Sequence, residues 1–582
     1  MAWVEYGIAR HTGNLLNLQA DEIVKKILTV RGILGDEAVR EFLSDRPKLA
    51  HDPQLLPGME AGVDFLIAAL MAGKRICVYG DYDVDGVCGT ALLVLFLRHA
   101  ANVYGGGSAI SFYIPSRIEE GYGLNKAALR AIKDEGGDAV VTVDCGSVSA
   151  EEAAYAREIG LDILITDHHA PDPANLPDCA CINPKLRTAD GGGYPFEKIC
   201  GAAVAFKLCG ALQGRMGDRG KRAVLHGLVD LVCVATISDV MPLIDENRTF
   251  VKYGLSLLRK GSRPALKALA SVAGIKAGSL TSRDVAFGLA PRINALGRIG
   301  DASLGVEFFL AEDEERICQI ALLMDACNIE RRQIQDACFD ECMSLFEADQ
   351  KPAGNPQSLF LLLKPKNAHE GVSGIVAGKV REETGLPCAV LAASGDRAGG
   401  GPPAFLKGSV RSAGRLDVIA LLRRHAGIFE RLGGHAAAAG FLIKAENEAA
   451  LREALSRDLA ELLDSEPNLL AEEEGAELEI EAADISPALA DAALALAPFG
   501  NGNQKPLLLF RVRADAIAGI RFMGAERRHL RFKAAGIPCV FFGGAKTVFP
   551  GTGLVGIVGC PEINEWNGSR NIQFAVRHVF AV

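Results

Sequence analysis

The chain is expected to fold as an α/β protein: a parallel-sheet catalytic domain, a long connecting helix, a second α/β domain and a small C-terminal β-barrel. Three observations carry this expectation. From about Gly73 to Ile244, short β-branched runs alternate with helical stretches, the pattern of parallel strands joined by crossover helices. Between Glu312 and Gln350, apolar residues recur at helical spacing without a Pro or Gly, so one or two long helices bridge two lobes. Near the end the charge balance reverses: 444–497 holds 3 basic and 15 acidic residues, whereas 505–582 holds 11 basic and 4 acidic ones in short strand-like runs separated by turns.

The elements follow in chain order. Residues 1–60 form an N-terminal helical segment and 61–310 the catalytic domain; 311–350 is the connecting helix. A glycine-rich α/β domain over 351–465 (Gly371, Gly374, Gly378, Gly433, Gly434) is expected to bind substrate, 466–504 is an acidic linker, and 505–582 is the barrel. With 582 residues, 49% hydrophobic, 23% charged and a net charge of −10, the composition is globular and excludes wholesale disorder. Apolar runs such as Ala91–Leu97 fall short of the roughly 18–20 residues a membrane span needs, so no membrane partner is expected. Met1–Tyr6 shows neither a basic nor a hydrophobic leader pattern, and a cytoplasmic location is expected. The fifteen cysteines form no CxxC pair and read as reduced thiols. Cys338 and Cys342, four apart on a helix, have no second pair to complete a metal site and read as core residues.

Chemistry concentrates where strands end. The run Arg75–Gly80 leads into Asp81, Asp83 and Asp85, three carboxylates in five positions. Such clustered charges repel; a divalent cation removes that repulsion, and an acidic surface turn is the other reading. No Glu stands where an EF-hand loop requires one. A second strand, Val140–Asp144, ends on Asp144; a third, Ile163–Asp167, precedes His168 and His169. Thr236-Ile237-Ser238-Asp239 closes an apolar run, Leu228–Val234, readable as helix or strand. Each cluster alone is compatible with surface decoration. Four on successive elements of one α/β unit point to an ion site beyond the carboxyl ends of the strands. Oxygen and imidazole donors without cysteine favour Mn²⁺ or Mg²⁺ over structural zinc. Several carboxylates suggest two divalent cations about 3.5–4 Å apart, which implies phosphoester or phosphoanhydride hydrolysis. A nucleotide-cradling GxxxxGK[ST] loop is absent.

These four pieces resemble the motifs of the DHH phosphoesterase superfamily, whose name is spelled by Asp167-His168-His169. Within it, other stretches are similar to the single-strand-specific 5′→3′ exonucleases. These are Gly121-Tyr122-Gly123-Leu124, Ala290-Pro291-Arg292-Ile293-Asn294-Ala295-x-Gly297-Arg298, His369-x-Gly371-Val372-x-Gly374, Gly433-Gly434-His435, Ala497-Pro498-Phe499-Gly500-x-Gly502-Asn503 and Asn564-x-Trp566. The resemblance runs from about Arg31 to the C-terminus.

The resemblance implies that Asp83 and Asp144 hold one cation, and that Asp85, Asp144, His168 and Asp239 hold the other, with Asp144 bridging. His169 would face the scissile phosphate as an electrostatic stabiliser or proton donor, and Asp81 would be either a ligand or an acceptor that orients one. Tyr79 stands where some members carry a metal-binding histidine. Strand contacts are implied for Arg117, Arg292, Asn294 and Arg298, for Ser409 and Arg411 at the 5′ end, and for Gly434 and His435. Without the resemblance each arginine reads as a surface ion pair. The barrel resembles an OB-fold, with Arg521, Arg528 and Trp566 offering charge and stacking, and Phe532 either stacking or filling the core.

The expected function is metal-dependent hydrolysis of single-stranded DNA from the 5′ end in recombination and repair, beside a helicase or single-strand-binding protein. Two alternatives remain. A phosphodiesterase of short oligonucleotides or cyclic dinucleotides would not need the barrel. A non-catalytic strand-binding scaffold would not keep every metal carboxylate.

Overall fold

The structure, a computed structural model, describes residues 20–117, 119–188, 191–217, 222–349, 359–394, 403–471, 475–566 and 569–582. The first domain is built on five parallel strands: β1 (Ile76–Gly80), β2 (Ile110–Tyr113), β3 (Ala139–Val143), β4 (Asp162–Thr166) and β5 (Ala180–Ile182), in the order β2-β1-β3-β4-β5. Every residue of β1 and β3 is buried, which explains why they read as continuous apolar runs rather than alternating ones. The helix Val84–Tyr104 follows β1 and is buried along most of its length. Among the described residues it is the one helix long and apolar enough to cross a membrane, and its place in the domain core accounts for that composition. The apolar run before Asp239, open between helix and strand in the sequence, is the helix Val229–Ser238.

A single helix of 36 residues, Glu314–Asp349, joins the two α/β domains. Ile317, Ile320 and Met324 at its start lie in the first domain's core. Cys338 and Cys342 near its end lie in the second domain's apolar core with Val372 and Val376. The second sheet holds β6 (Leu361–Leu363), β7 (Cys388–Ser394), β8 (Phe405–Arg411), β9 (Phe429–His435) and β10 (Ala438–Lys444), in the order β6-β7-β8-β10-β9. Only the β6–β7 pair is parallel.

The third sheet has seven strands: β11 (Leu478–Glu479), β12 (Leu508–Arg513), β13 (Ile517–Met523), β14 (His529–Ala534), β15 (Ile537–Phe541), β16 (Leu554–Trp566) and β17 (Ser569–Ala581), ordered β11-β12-β16-β17-β15-β14-β13. Two expectations change here. The acidic stretch 466–504 is not simply a linker: β11 pairs with β12, and Leu478, Ile480, Ile485, Leu489 and Leu496 lie in this sheet's core. Its acidic residues hide that apolar pattern in the sequence. The N-terminal helix Ala20–Val30 belongs to the same core through Ile23, Val24, Ile27 and Leu28. Arg31 secures it there, donating to Glu477 at 2.7 Å and to the Gln504 carbonyl at 2.9 Å.

Candidate active site

The carboxyl ends of β1, β3 and β4 deliver the acidic residues to one place, because parallel strands all end on the same edge. Asp83 caps the helix Val84–Tyr104, its Oδ1 accepting from the Asp85 and Gly86 amides at 2.8 and 3.1 Å. Asp85, in the first turn, is buried and accepts from the Gly201 and Ala202 amides at 2.6 and 2.8 Å. These amides open the helix Gly201–Met216, whose positive end favours the anion. Asp144 follows β3 with φ of 65°, a left-handed conformation that turns it off the strand. His168 Nε2 then lies 3.1 Å from Asp144 Oδ1, 3.6 Å from Asp239 Oδ2 and 3.8 Å from Asp85 Oδ2. Ligand atoms of Asp81, Asp83 and Asp144 form one group within 4.8 Å of each other, those of Asp85, His168 and Asp239 a second, and those of Asp144, His168 and His169 a third.

The electrostatics fit divalent cations. Among the described residues, nothing donates a hydrogen bond to Asp81 Oδ1, Asp144 Oδ1 or Asp239 Oδ2, all of them buried, a costly state unless an ion meets them. Burial, and then neighbouring Asp83, pushes Asp85 up to about 6. Burial, and then Asp85, pushes Asp239 up to about 9 and Asp144 well above the carboxylate range. Asp81 is raised likewise by burial and Asp83. His168 is pushed down to about 3 by burial and by the charge of His169, so it is the neutral imidazole a metal requires.

Asp167, to which the motif reading gave no role, anchors the two histidines. Its Oδ1 accepts from the His168 amide (2.7 Å), the His169 amide (3.1 Å) and His169 Nδ1 (2.8 Å), and its Oδ2 accepts from the Ser147 amide (2.9 Å). Burial alone would raise its pKa, but these donors hold it below the ordinary range. Tyr122 was visible only as part of a glycine-flanked motif. Its hydroxyl lies 3.1 Å from the Asp144 carbonyl and 2.9 Å from His169 Nδ1. Asn183 and Lys185 hold the carbonyls of His169 and His168, respectively. Tyr79 is fully buried and donates to the Gly123 carbonyl at 3.0 Å, so it supports the Tyr122 loop rather than the ion site.

A cleft of about 270 Å³ opens over the cluster, lined by Asp81, Tyr82, Asp83, Arg117, Tyr122, Asp144, His169, Asp239, Asn294 and Arg298. Arg117 stacks over Tyr82, 4.9 Å from the ring centroid. Arg298 donates to the Gly371 carbonyl at 2.7 Å, and burial followed by the charge of Arg117 pushes it down to about 9. Arg411 is lowered by the same two causes. Guanidiniums that depress one another form a natural seat for phosphate. Two glycines let the backbones close around this seat. A Cβ on Gly297 would sit 2.4 Å from the Tyr82 carbonyl, and one on Gly371 would sit 2.4 Å from the Arg298 carbonyl.

Other expected strand contacts lie elsewhere. Arg292 is committed to Asp325 (2.8 Å) and the Gly288 carbonyl (2.7 Å), tying its helix to the connecting helix instead of lining the cleft. Accordingly, Arg292→Gln is expected to lower thermal stability by about 1 kcal/mol and to leave strand affinity unchanged; a melting curve and a binding titration check both. Ser409 and Arg411 on β8 and Gly434 and His435 on the edge strand β9 are not among the cleft-lining residues. In the third sheet, Arg521 and Arg528 are exposed, Arg528 paired with Glu526 at 2.7 Å. Phe532 is core. The side chain of Trp566 lies outside the described residues. Exposed rings on this sheet are Phe522, with Arg527 5.0 Å from its centroid, and Phe542.

Comparison with known proteins follows the same division. Family models described as the DHH family N-terminal domain, the DHHA1 domain and the RecJ OB domain match residues 75–236, 357–461 and 476–578, respectively. The single-stranded-DNA-specific exonuclease RecJ of Bacillus subtilis (strain 168) is 34% identical over 568 residues, covering 96% of this chain and 68% of its own length. That of Escherichia coli (strain K12) is 31% identical over 551 residues, covering 91% of each. The crystal structure of RecJ in complex with Mn²⁺ from Thermus thermophilus matches with a TM-score of 0.77 at 27% identity, covering 97% of this chain and 79% of that one. The Mg²⁺ complex from the same organism matches with a TM-score of 0.70.

Proposed function

The chain belongs to the RecJ family of DHH phosphoesterases, and from that premise we infer that it is a metal-dependent exonuclease hydrolysing phosphodiester bonds of single-stranded DNA. The observation that carries this reading is the set of buried carboxylate oxygens on Asp81, Asp144 and Asp239 that have no hydrogen-bond partner among the described residues, beneath an arginine-lined cleft. These groups of ligand atoms support assigning Asp81, Asp83 and Asp144 to one cation and Asp85, His168 and Asp239 to the other, with Asp144 shared because it also groups with His168. Two bound Mn²⁺ or Mg²⁺ ions supply a nucleophilic water at neutral pH and stabilise charge on the phosphoryl oxygens.

The remaining roles belong to the chain. Asp167 holds His169 through Nδ1, which leaves Nε2 as the nitrogen available to the cleft. Burial pulls the His169 pKa down, Asp167 and then Asp85 and Asp81 pull it up, and the net direction is upward. Held in this way, His169 stabilises developing charge on the scissile phosphate or donates a proton to the departing oxygen. Arg117, Arg298 and Arg411 receive phosphates of the strand end, with Asn294 beside them. Arg521 and Arg528, with Phe522, engage the strand further along. The 5′→3′ polarity we propose rests on the motif resemblance around Ser409 and Arg411. An enzyme specific for single strands needs the duplex opened first, so a helicase or a single-strand-binding protein is the fitting associate in cytoplasmic recombination and repair.

The test is digestion of a long single strand labelled at either end, with Mn²⁺, Mg²⁺ or a chelator. Release of the 5′ label first, with none under the chelator, is expected. Chelator-resistant digestion, or a preference for a dinucleotide over the long strand, would count against this reading. Tyr122→Phe and Asp167→Asn are each expected to lower kcat about 10–100-fold with KM unchanged, since both loosen His169 without touching the phosphate seat; steady-state kinetics decide this.

A further inference from the structure

The turn 497–503 belongs to the C-terminal domain but presses against the first domain beside Asp239. Its own fixing is thorough. Asn503 is buried, and its Nδ2 donates to the Leu496 and Pro498 carbonyls at 2.9 and 2.8 Å. Gly500 and Asn503 pair with each other across the turn. Arg248 donates to the Ala497 carbonyl at 2.8 Å, and Ser282 to the Phe499 carbonyl at 2.6 Å. From this fixed turn, Asn501 reaches out twice: its Nδ2 donates to the Val240 carbonyl at 2.7 Å, and its own backbone carbonyl accepts from the Leu243 amide at 2.7 Å. A Cβ on Gly502 would lie 2.8 Å from Pro242 Cβ, so the two turns are in close contact.

What Asn501 holds is strained. Val240 has φ of 55°, a left-handed conformation that a β-branched residue rarely adopts. Val240 is 65% exposed; the helix end closes over it, its amide donating to the Ile237 carbonyl at 3.3 Å and the Met241 amide to the Thr236 carbonyl at 3.1 Å, and the Asn501 bond to its carbonyl adds a hold from the C-terminal domain. Asp239 immediately precedes it and ends the helix Val229–Ser238, with Oδ2 3.6 Å from His168 Nε2 and no hydrogen-bond partner among the described residues. Relaxing Val240 would swing the peptide next to that carboxylate.

We propose that Asn501 is a positioning residue for Asp239: the C-terminal domain clamps the strained Val240 peptide and so fixes a ligand of the hydrolytic centre. The strand-engaging domain and the ion site are thereby one mechanical unit. The proposal rests on the reading of Asp239 as a cation ligand.

The test uses the full chain and reads Mn²⁺ affinity by titration, together with kcat, KM and strand affinity in chelator. Asn501→Ala is expected to weaken Mn²⁺ binding about 10–100-fold, the range for groups that orient a ligand, and to lower kcat while leaving chelator-measured strand affinity within about twofold. Adding Val240→Gly should restore Mn²⁺ affinity to within about threefold, because glycine holds a positive φ without a clamp. Wild-type Mn²⁺ affinity in Asn501→Ala, or failure of Val240→Gly to restore it, would overturn the proposal. A wild-type chain that itself binds no Mn²⁺ would instead sink the underlying exonuclease reading.

Discussion

Replacing Asp144 with asparagine is expected to reduce turnover by about 10³-fold or more and yet to make the metal-free protein more heat-stable. Both effects share one cause. Asp144 belongs to the first ligand group and sits 3.1 Å from His168 of the second, so its loss reaches both proposed cations. Without ions, burial and then Asp85, Asp83, Asp81 and Asp239 all disfavour its charged form, and the amide removes that carboxylate. The pH dependence has a definite sign. Folded-state values of about 6 for Asp85 and about 9 for Asp239 lie above the ordinary carboxylate value of 3.8. The folded state therefore binds protons more tightly than the unfolded one, and stability from these groups is lost as pH rises from about 4 to about 9. Metal-free melting temperatures should fall across that range in the wild type and fall less in Asp144→Asn, which should melt about 2–4 °C higher near pH 8. Added Mn²⁺ should flatten the wild-type curve. A metal-free Asp144→Asn that melts lower than wild type would show that the cluster is not electrostatically frustrated.

Removing the charge from the exposed face of β13 and β14 should weaken long-strand binding by about 10²-fold or more at physiological salt. Arg521 and Arg531 face each other directly across these strands, and Lys533 faces Ala518. Like charges opposite one another destabilise a sheet, and neither arginine has a carboxylate partner among the described residues. A polyanion supplies what the protein does not. Changing Arg521, Arg527, Arg531 and Lys533 to serine should lower the slope of log affinity against log salt by about 0.7 per charge for a single strand. Cleavage of an already seated short strand should change little, because the cleft and its arginines are untouched. Unchanged salt slopes would remove this face from the strand path.

Particular residues show how far the sequence could be read. Asp81, Asp83, Asp85, Asp144 and His168 were legible because each follows a buried strand in a parallel sheet, where side chains at strand ends must meet. Asp239 was legible as a residue but not as geometry, since the apolar run before it fits helix or strand; it proved to be a helix end. The placement of Arg292 was not legible: its motif neighbour Arg298 reaches the cleft, whereas Arg292 turns to Asp325. Tyr122, Asn183, Lys185 and Asn501 act through contacts distant in the chain, such as the 261-residue separation between Asn501 and Val240. No local periodicity encodes these. Residues 466–504 read as a linker because charge masked five core positions.

The most direct measurement is a count of Mn²⁺ bound per chain by titration with electron paramagnetic resonance detection, in wild type and in Asp144→Asn. Convergence of Asp81, Asp83, Asp85, Asp144, His168 and Asp239 on shared ions requires two bound Mn²⁺ in the wild type and loss of both tight sites in the variant. Two undiminished sites in Asp144→Asn, or none in the wild type, would contradict it.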